Sequence, residues 1–173
     1  RFIYSGSFQQ YLPNMVNYYA LTKLMFDQTA RYFNTSKGIE TTQIILSDIY
    51  GENDPRGKVL TTLLESIKRE GYFHATNPGA VLHPLYIEDV VHSIIDILRQ
   101  DEGCRVPDIY IKPKGTYSLN NVIDFVQGIH LGRTLKTGIP LSNMQISIPK
   151  DAEVINASTS LEEGILKLWK TLS

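Results

Sequence analysis

The amino-acid sequence predicts an α/β protein built on a parallel β-sheet. A strand pattern at residues 2–4, a helical pattern from Asn17 and a second strand pattern at 42–49 follow one another, which is the order of a β-α-β unit. The second strand contains the continuous apolar run Ile44-Ile45-Leu46. Strands covered on both faces of a parallel sheet have such runs. The crossover between the two strands is expected to be right-handed.

The composition is that of an ordinary globular domain. The chain has 173 residues, 42% of them hydrophobic and 20% charged, with a net charge of −1. The absence of a long run of like charge argues against partners such as nucleic acid or an anionic membrane. No apolar run approaches the roughly 20 residues of a membrane helix. Cys104 is the single cysteine, which excludes an intramolecular disulfide and favours a reducing compartment, the cytoplasm.

The first predicted strand ends in serines, whose hydroxyls could take part in a reaction. We expect the first strand to end at Ser5-Gly6-Ser7, with Gly6 permitting a tight turn as the strand leaves the sheet. A loop over 8–16 follows, and Asn17 is the predicted N-cap of a helix that ends near Phe33. The predicted packed face of this helix consists of residues at helical spacing, namely Thr22, Phe26, Ala30 and Phe33.

The middle of the chain begins with a polar loop, Tyr50 to Gly57, at the carboxyl end of the second strand. Ligands of open α/β sheets bind at that edge. An amphipathic helix is predicted over 58–70, and a hairpin within 72–83 that turns at Asn77-Pro78-Gly79. The helix at 88–99 starts with Glu88 and Asp89, which we interpret as stabilising its first turn.

The last third is predicted to contain a short strand at 108–112, a helix at 119–129 capped by Ser118, and loops at 130–157 with a small strand near Met144. A final helix over 161–172 is capped by Thr159 or Ser160. Its predicted inward residues are Ile165, Leu168 and Trp169. His74, His92 and His130 lack metal-ligand spacing, so no metal site is expected.

Tyr19 and Lys23 are the residues that point most directly to chemistry. They are four apart, so on a helix they share a face one turn apart. A lysine ammonium stabilises an ionised phenol nearby, which lets a tyrosine exchange a proton with a sugar hydroxyl or ketone. In a chain with 10 tyrosines the bare spacing is unspecific, so the neighbouring serines carry the argument. Tyr18 has no lysine four residues on and is interpreted as structural.

Five segments in this order resemble the extended short-chain dehydrogenase/reductase family, which contains nucleotide-sugar epimerases, dehydratases and 4-ketoreductases. They are Ser5-Gly6-Ser7, Tyr19-Ala20-Leu21-Thr22-Lys23, Ile49-Tyr50-Gly51, the segment Pro84 to Val90, and the segment Thr159 to Ile165. The resemblance implies a partial Rossmann-like, doubly wound parallel sheet plus a small α/β substrate-binding subdomain. It assigns 1–57 to the second half of the dinucleotide-binding domain and 58–173 mainly to substrate binding, with about 84–112 returning to the sheet.

The resemblance also implies roles for individual residues, with NAD or NADP as the cofactor and a nucleotide sugar as the substrate. The implied catalytic residues are Ser7, with Ser5 as the second candidate, Tyr19 and Lys23. The implied cofactor-binding residues are Ser5, Tyr19, Lys23, Tyr50 and Gly51, and the implied substrate-binding residues are Asp48, Lys58 and His83. In many relatives the helix corresponding to that of Tyr19 pairs across subunits, which implies a homodimer.

Departures from the family pattern narrow the reaction. The Gly-rich phosphate loop is absent from this chain, so we expect the chain to be the later part of a longer protein. Asp48 stands where relatives often have asparagine, and no arginine stands beside Pro84. The short Ser5-Gly6-Ser7-Phe8 loop resembles that of the CDP-deoxysugar 4-ketoreductases. The 4,6-dehydratases of the family carry an Asp-Glu pair after the catalytic threonine, whereas Ser7 is followed by Phe8-Gln9-Gln10, which has no ionisable group. This favours 4-epimerisation or 4-keto reduction. A non-catalytic dinucleotide-binding or sensor protein of the same fold, or an inactive fragment, remains the alternative.

Overall fold

The structure is a computed structural model that describes residues 1–12, 17–100, 107–130 and 147–172. Three predicted features lie outside the described residues: the loop at 13–16, Cys104 and the small strand near Met144. The side chain of His130 is also outside them. The chain divides into two compact units, each described by itself. Unit 1 comprises Arg1–Ser47, Val90–Lys112 and, of the described residues, 147–156. Unit 2 comprises Asp48–Asp89, 113–130 and 157–172.

The elements follow one another as strands and helices in the order that the sequence predicts for an α/β protein. They are β1 (Phe2–Ser7), a 3-10 helix (Phe8–Tyr11), α1 (Tyr18–Lys37), β2 (Thr41–Leu46), β3 (Asp48–Tyr50), α2 (Val59–Glu70), β4 (Val81–Leu82), β5 (Pro84–Tyr86), α3 (Ile87–Leu98), β6 (Ile109–Lys112), β7 (Tyr117–Ser118), α4 (Leu119–His130), β8 (Glu153–Asn156) and α5 (Leu161–Thr171). None of these helices is long and apolar enough to cross a membrane.

Unit 1 is built on a four-stranded sheet in the order β1-β2-β6-β8, and every neighbouring pair is parallel. The predicted fold class is therefore confirmed. Ser7, the last residue of β1, lies opposite Leu46. Gly6 makes no turn, because β1 continues through it. The glycine is instead needed for packing, since a Cβ at this position would lie 2.5 Å from Nε2 of the buried Gln43.

The helix α1 begins as predicted and packs differently. Asn17 caps it by accepting a hydrogen bond of 2.7 Å from the backbone N–H of Ala20. It extends one turn beyond Phe33 and ends at Gly38, whose φ of 66° is left-handed. The predicted packed face is wrong except at Ala30: the buried residues are Ala20, Asp27 and Ala30, whereas Thr22, Phe26 and Phe33 are exposed. The sheet-facing side of the helix uses small residues and one hydrogen-bonded carboxylate.

Two predictions of local pairing are wrong. The strand predicted over 42–49 is interrupted at Ser47, and β3 beyond it belongs to unit 2, where it pairs in parallel with β5. The hairpin predicted within 72–83 does not form, because β4 pairs antiparallel with β7, more than thirty residues later in the chain. Backbone N–H groups at the start of α4 donate to carbonyls next to β4 and complete that attachment.

The core of unit 2 is formed by α2, α4 and α5, whose apolar faces agree with the predicted periodicity. Its fully buried side chains include Leu63, Leu64, Ile67, Val122, Val126 and Ile165. Ser118 caps α4 through a bond of 3.1 Å from the N–H of Asn121. Ser160, rather than Thr159, caps α5. Glu88 and Asp89 are in the first turn of α3 as predicted, and both also bond to distant groups: Glu88 to Lys167, and Asp89 to the N–H groups of Ser158 and Thr159.

Candidate active site

Lys23 connects the end of β1 to the first turns of α1. Its Nζ donates to the carbonyl oxygen of Ser5 at 2.8 Å and to the Ser5 hydroxyl at 3.1 Å. The same Nζ lies 5.9 Å from the ring centroid of Tyr19, within the range of a cation–π contact. The Tyr19 side chain is 53% exposed, so its hydroxyl is open to a ligand. Three of the predicted site residues therefore meet at the carboxyl end of a parallel strand.

Ser7 occupies the last position of β1 and caps the 3-10 helix that follows. Its hydroxyl oxygen accepts from the N–H of Gln9 at 3.3 Å, and its own N–H donates to Oε1 of Gln10 at 3.1 Å. The residue is buried. Because the cap uses the hydroxyl only as an acceptor, its O–H remains able to donate to a substrate oxygen.

A buried glutamine pair supports Ser7, and the predicted set of site residues does not include it. Gln10 and Gln43 are both buried, and their side-chain amides face each other at 3.4 and 3.5 Å. The hydroxyl of Tyr11 donates to Oε1 of Gln43 at 2.6 Å. The Ser-x-x-Gln spacing of Ser7 and Gln10 is a capping-box pattern, a signal by which sequence reasoning could have found Gln10. No such local signal marks Gln43.

Two further tyrosines of unit 1 are structural. The hydroxyl of Tyr4 donates to the buried carboxylate of Asp27 at 2.8 Å, and Arg31 pairs with the same carboxylate at 2.9 Å. Burial, reinforced by the bond to Asp27, raises the pKa of Tyr4 well above its usual range. Burial also raises the pKa of Tyr11 to about 12. Both phenols therefore stay neutral at physiological pH, and neither competes with Tyr19 for the role of base.

A polar cavity in unit 1 lies away from these residues. It has a volume of about 510 Å³, and its lining includes Thr41 at the start of β2 and Asp108 just before β6. It is therefore at the amino edge of the sheet, whereas Ser5 and Ser7 stand at the carboxyl end of β1. Ligands of open α/β sheets bind at the carboxyl ends of strands. We do not include this cavity in the candidate site.

In unit 2 the structure brings together Asp48 and His83, two of the predicted substrate-binding residues. The N–H of His83 donates to Oδ2 of Asp48 at 2.8 Å, and the N–H of Asp48 donates to the carbonyl of His83 at 3.0 Å. Nδ1 of His83 lies 3.2 Å from the hydroxyl of Thr116. Burial raises the pKa of Asp48, opposed by the His83 N–H bond, and burial lowers the pKa of His83, opposed by the charge of Asp48. The imidazole is therefore held neutral beside a desolvated carboxyl group.

The remaining predicted residues take packing or terminal positions. Lys58 stands at the start of α2. Its positive charge opposes the rise that burial causes in the pKa of Asp48. Tyr50 is buried against Tyr86 with ring centroids 5.5 Å apart, so its side chain takes a packing position. Gly51 is packed so closely on the side chain of Ile87 that a Cβ would collide with it. Within the described ranges, His, Cys, Asp and Glu form no group of three that could hold a metal ion.

Serine hydroxyls at the carboxyl end of a parallel strand lie beside a helix that presents a tyrosine and a lysine on one face, the arrangement that the resemblance to the dehydrogenase/reductases implies. The chain belongs to the NAD dependent epimerase/dehydratase family, whose model matches residues 5–111. This match confirms the predicted family and the predicted class of enzyme. The family is NAD-dependent, in agreement with the predicted kind of cofactor.

Individual relatives agree with this assignment. CDP-abequose synthase from Yersinia pseudotuberculosis is 27% identical over 95% of this chain and 61% of its own length. The enzyme WbmF from Bordetella bronchiseptica, solved in complex with NADH, matches with a TM-score of 0.73 at 17% identity, over 97% of this chain and 57% of its own. UDP-glucuronic acid 4-epimerase from Bacillus cereus, solved with NAD, matches with a TM-score of 0.72 at 14% identity, over 97% and 60%. The structural likenesses show the fold, and the chain spans about three fifths of the length of these relatives.

Proposed function

We propose that this chain carries the catalytic portion of an NAD(P)-dependent nucleotide-sugar 4-epimerase or 4-ketoreductase. The observation that carries the proposal is the position of the Lys23 ammonium, bonded to Ser5 and facing the ring of Tyr19. Three N–H donors belong to a lysine ammonium, and the two bonds to Ser5 leave one for a ribose hydroxyl of the cofactor. The residues present therefore fit a nicotinamide ribose beside Tyr19.

The cofactor, when bound, supplies or accepts a hydride at C4 of the sugar. Tyr19 donates its hydroxyl proton to the C4 oxygen in the reductive direction and takes it back in the oxidative direction. The positive charge of Lys23 stabilises the phenolate that forms in between. The O–H of Ser7 donates to the same C4 oxygen and orients the sugar.

The residues after Ser7 support a reaction without dehydration. Dehydratases of the resembled family carry an acidic pair after the catalytic threonine, whereas Ser7 is followed by Phe8 and the two glutamines Gln9 and Gln10, none of which is ionisable. Both amides are engaged in hydrogen bonds, the side chain of Gln9 with Asn17 and that of Gln10 with the N–H of Ser7. A neutral amide transfers no proton at physiological pH, so this site has no second acid/base pair after Ser7.

Further parts of the proposal concern the ligands and partners. We assign the cofactor, NAD or NADP, to unit 1, and Asp48, Lys58 and His83 stay predicted substrate-binding residues. The synthase relative makes a CDP-linked sugar the first candidate substrate. We also propose a cytoplasmic homodimer in which the exposed apolar side chains of α1, Leu21, Met25, Tyr32 and Phe33, meet those of a second copy.

Replacing Tyr19 by phenylalanine tests the proposal. The variant should lower turnover by about 10²–10⁴-fold, the usual contribution of a general acid/base, and should leave NADH binding intact. The assay uses full-length protein with CDP- and UDP-linked 4-keto sugars and NADH or NADPH, and CDP- and UDP-linked hexoses with NAD⁺, with products separated by chromatography. Tyr18→Phe, one residue away and 87% exposed, is the matched control.

Each outcome has a defined reading. Turnover near the unmodified level in Tyr19→Phe contradicts the catalytic role. An unmodified protein that shifts the fluorescence of NADH without converting any of these sugars supports the non-catalytic dinucleotide-binding alternative. A protein that does neither supports the inactive alternative.

A further inference from the structure

We propose that Gln10 and Gln43 are positioning residues for Ser7, forming a buried neutral anchor that holds its hydroxyl against the reacting oxygen. This inference rests on the proposed function, because it assigns a task to the serine of that reaction. It is carried by the contacts of the two glutamines, by the shape of the site they occupy and by their link to α1.

The first step is the direct bond to the serine. Oε1 of Gln10 accepts from the N–H of Ser7 at 3.1 Å, and the N–H of Gln9 donates to the Ser7 hydroxyl at 3.3 Å. Ser7 is therefore held at both its backbone and its side chain by the 3-10 helix that follows it. With its oxygen occupied by Gln9, the hydroxyl has a restricted set of directions in which its O–H can donate.

The second step is what holds Gln10. Gln43 lies on β2 and is fully buried, and the two amides contact each other at 3.4 and 3.5 Å. A bond of 2.6 Å from the Tyr11 hydroxyl fixes the Gln43 oxygen. The absent Cβ of Gly6 provides the space for the Gln43 side chain. Gln43 on β2 therefore packs against the chain on both sides of Ser7, at Gly6 before it and at Gln10 after it.

The third step is a connection, through Gln9, from Ser7 to the helix that carries the tyrosine. The side-chain amide of Asn17 donates to Oε1 of Gln9 at 3.2 Å, and its oxygen caps α1 at the N–H of Ala20, next to Tyr19. A continuous set of hydrogen bonds therefore runs from Ser7 to the first turn of α1. Ser7 and Tyr19 come from different elements and must address one oxygen, so their mutual placement needs such a connection.

The neutrality of the anchor has a chemical consequence. A carboxylate at either position would be a buried charge beside the reacting oxygen, where negative charge develops during reduction. An amide offers an N–H donor as well as an oxygen acceptor, which a carboxylate does not, and it carries no charge at any physiological pH. The anchor therefore keeps its geometry while Tyr19 gains and loses its proton.

The test combines Gln10→Met, which removes the amide at similar volume, with Ser7→Ala in full-length protein. Assayed with a converted nucleotide sugar from the panel above, Gln10→Met should lower kcat by about 10- to 100-fold, the loss expected when a reacting group is misplaced by an ångström. KM and NADH affinity should stay within about twofold, since the anchor acts on the transition state. The Ser7→Ala, Gln10→Met double variant should have the kcat of Ser7→Ala alone, because Gln10 acts through Ser7.

Two controls separate positioning from loss of stability. Gln28→Met removes an amide that bonds to Asp27 on α1 and should leave kcat unchanged. Ile109→Val truncates a buried side chain of β6 and should lower thermal stability without lowering kcat. Should Gln10→Met fail to fold, Gln43→Met removes the same amide contact from the other side and takes its place in the cycle.

The outcomes distinguish the inference from the proposed function. Unchanged kcat in Gln10→Met with impaired Ser7→Ala overturns the inference alone, as does a double variant whose losses multiply. Unchanged kcat in Ser7→Ala contradicts the role of Ser7 in the proposed function, and the inference falls with it.

Discussion

Gly6→Ala offers a quantitative test of the packing beneath the candidate site. The new Cβ would lie 2.5 Å from Nε2, 2.6 Å from Cδ and 2.8 Å from Cγ of Gln43. Separations this short are not tolerated, so the Gln43 side chain must move. That side chain is fully buried. We therefore expect the variant to break the 2.6 Å bond between the Tyr11 hydroxyl and Gln43.

The expected change in the free energy of unfolding combines two destabilising contributions and one stabilising contribution. Overpacking of a filled interior costs about 1–3 kcal/mol, and a buried polar group left without its partner costs about 1–3 kcal/mol. The reduced backbone freedom of alanine in the unfolded chain returns about 0.4–1 kcal/mol. The free energy of unfolding should therefore fall by about 1–6 kcal/mol, a large share of the stability of a typical domain.

Urea unfolding followed by circular dichroism measures this change as a lower midpoint at constant slope. Gly79→Ala is the matched control, because a Cβ there would meet only Asn77 Oδ1 at 3.8 Å, an ordinary contact, and the change should stay within about 0.5 kcal/mol. Shortening Gln43 to alanine in the Gly6→Ala background should recover part of the loss, with a coupling of about 1 kcal/mol or more. A Gly6→Ala protein as stable as the unmodified one would refute the reasoning.

Three further predictions address the catalytic lysine, the desolvated carboxyl group and the core of unit 2. Lys23→Met loses both bonds to Ser5, so turnover should fall by about 10²-fold or more and NADH titrations should show weaker binding. Unchanged values for both would remove Lys23 from the site. Asp48→Asn should be more stable than the unmodified protein at neutral pH, because burial raises the pKa of Asp48 and the charged form is disfavoured in the folded state. The advantage should disappear as pH falls below the ordinary aspartate range, where both states are protonated; a pH-independent difference in melting temperature would contradict this. Gly164→Ala places a Cβ against the hydroxyl of the buried Tyr50 and should lower the melting temperature by about 2–4 °C for each kcal/mol of overpacking. An unchanged melting temperature would show that Tyr50 moves freely.

Sequence signals within a few residues predict those elements whose structure depends on the same few residues. The apolar spacing of α2 and α5 and the caps at Asn17 and Ser160 appear in the structure as predicted. The face of α1 was not predictable in this way. Helical spacing predicts Phe26 on the packed face, yet it is half-exposed and its ring packs against Tyr4, with ring centroids 5.3 Å apart. The hairpin failed for a similar reason, since β4 finds its partner far along the chain.

In the candidate site, too, local features could be predicted from the sequence and long-range contacts could not. The spacing of Tyr19 and Lys23 is a property of one helix and can be read from five consecutive residues. The contact of Lys23 with Ser5 depends on how α1 packs against β1. The support of Gln10, and through it of Ser7, by Gln43 depends on how β1 and β2 align, with Tyr4 opposite Gln43 in the parallel register. A buried glutamine has no periodic signature, so its role emerges only when the register of the sheet is known.

The sheet of unit 1 also determines how this protein can be divided. Its strands β1 and β8 are separated by about 150 residues of chain, and unit 2 is made of two segments inserted between them and a third that follows β8. A ribosome must therefore synthesise nearly all of this sequence before β8 can pair with β6, and until then β6 presents an unpaired edge. For the same reason no single cut releases either unit. Expressing one alone would require splicing three separate segments with new linkers, so no truncation from either end of this chain leaves one unit by itself.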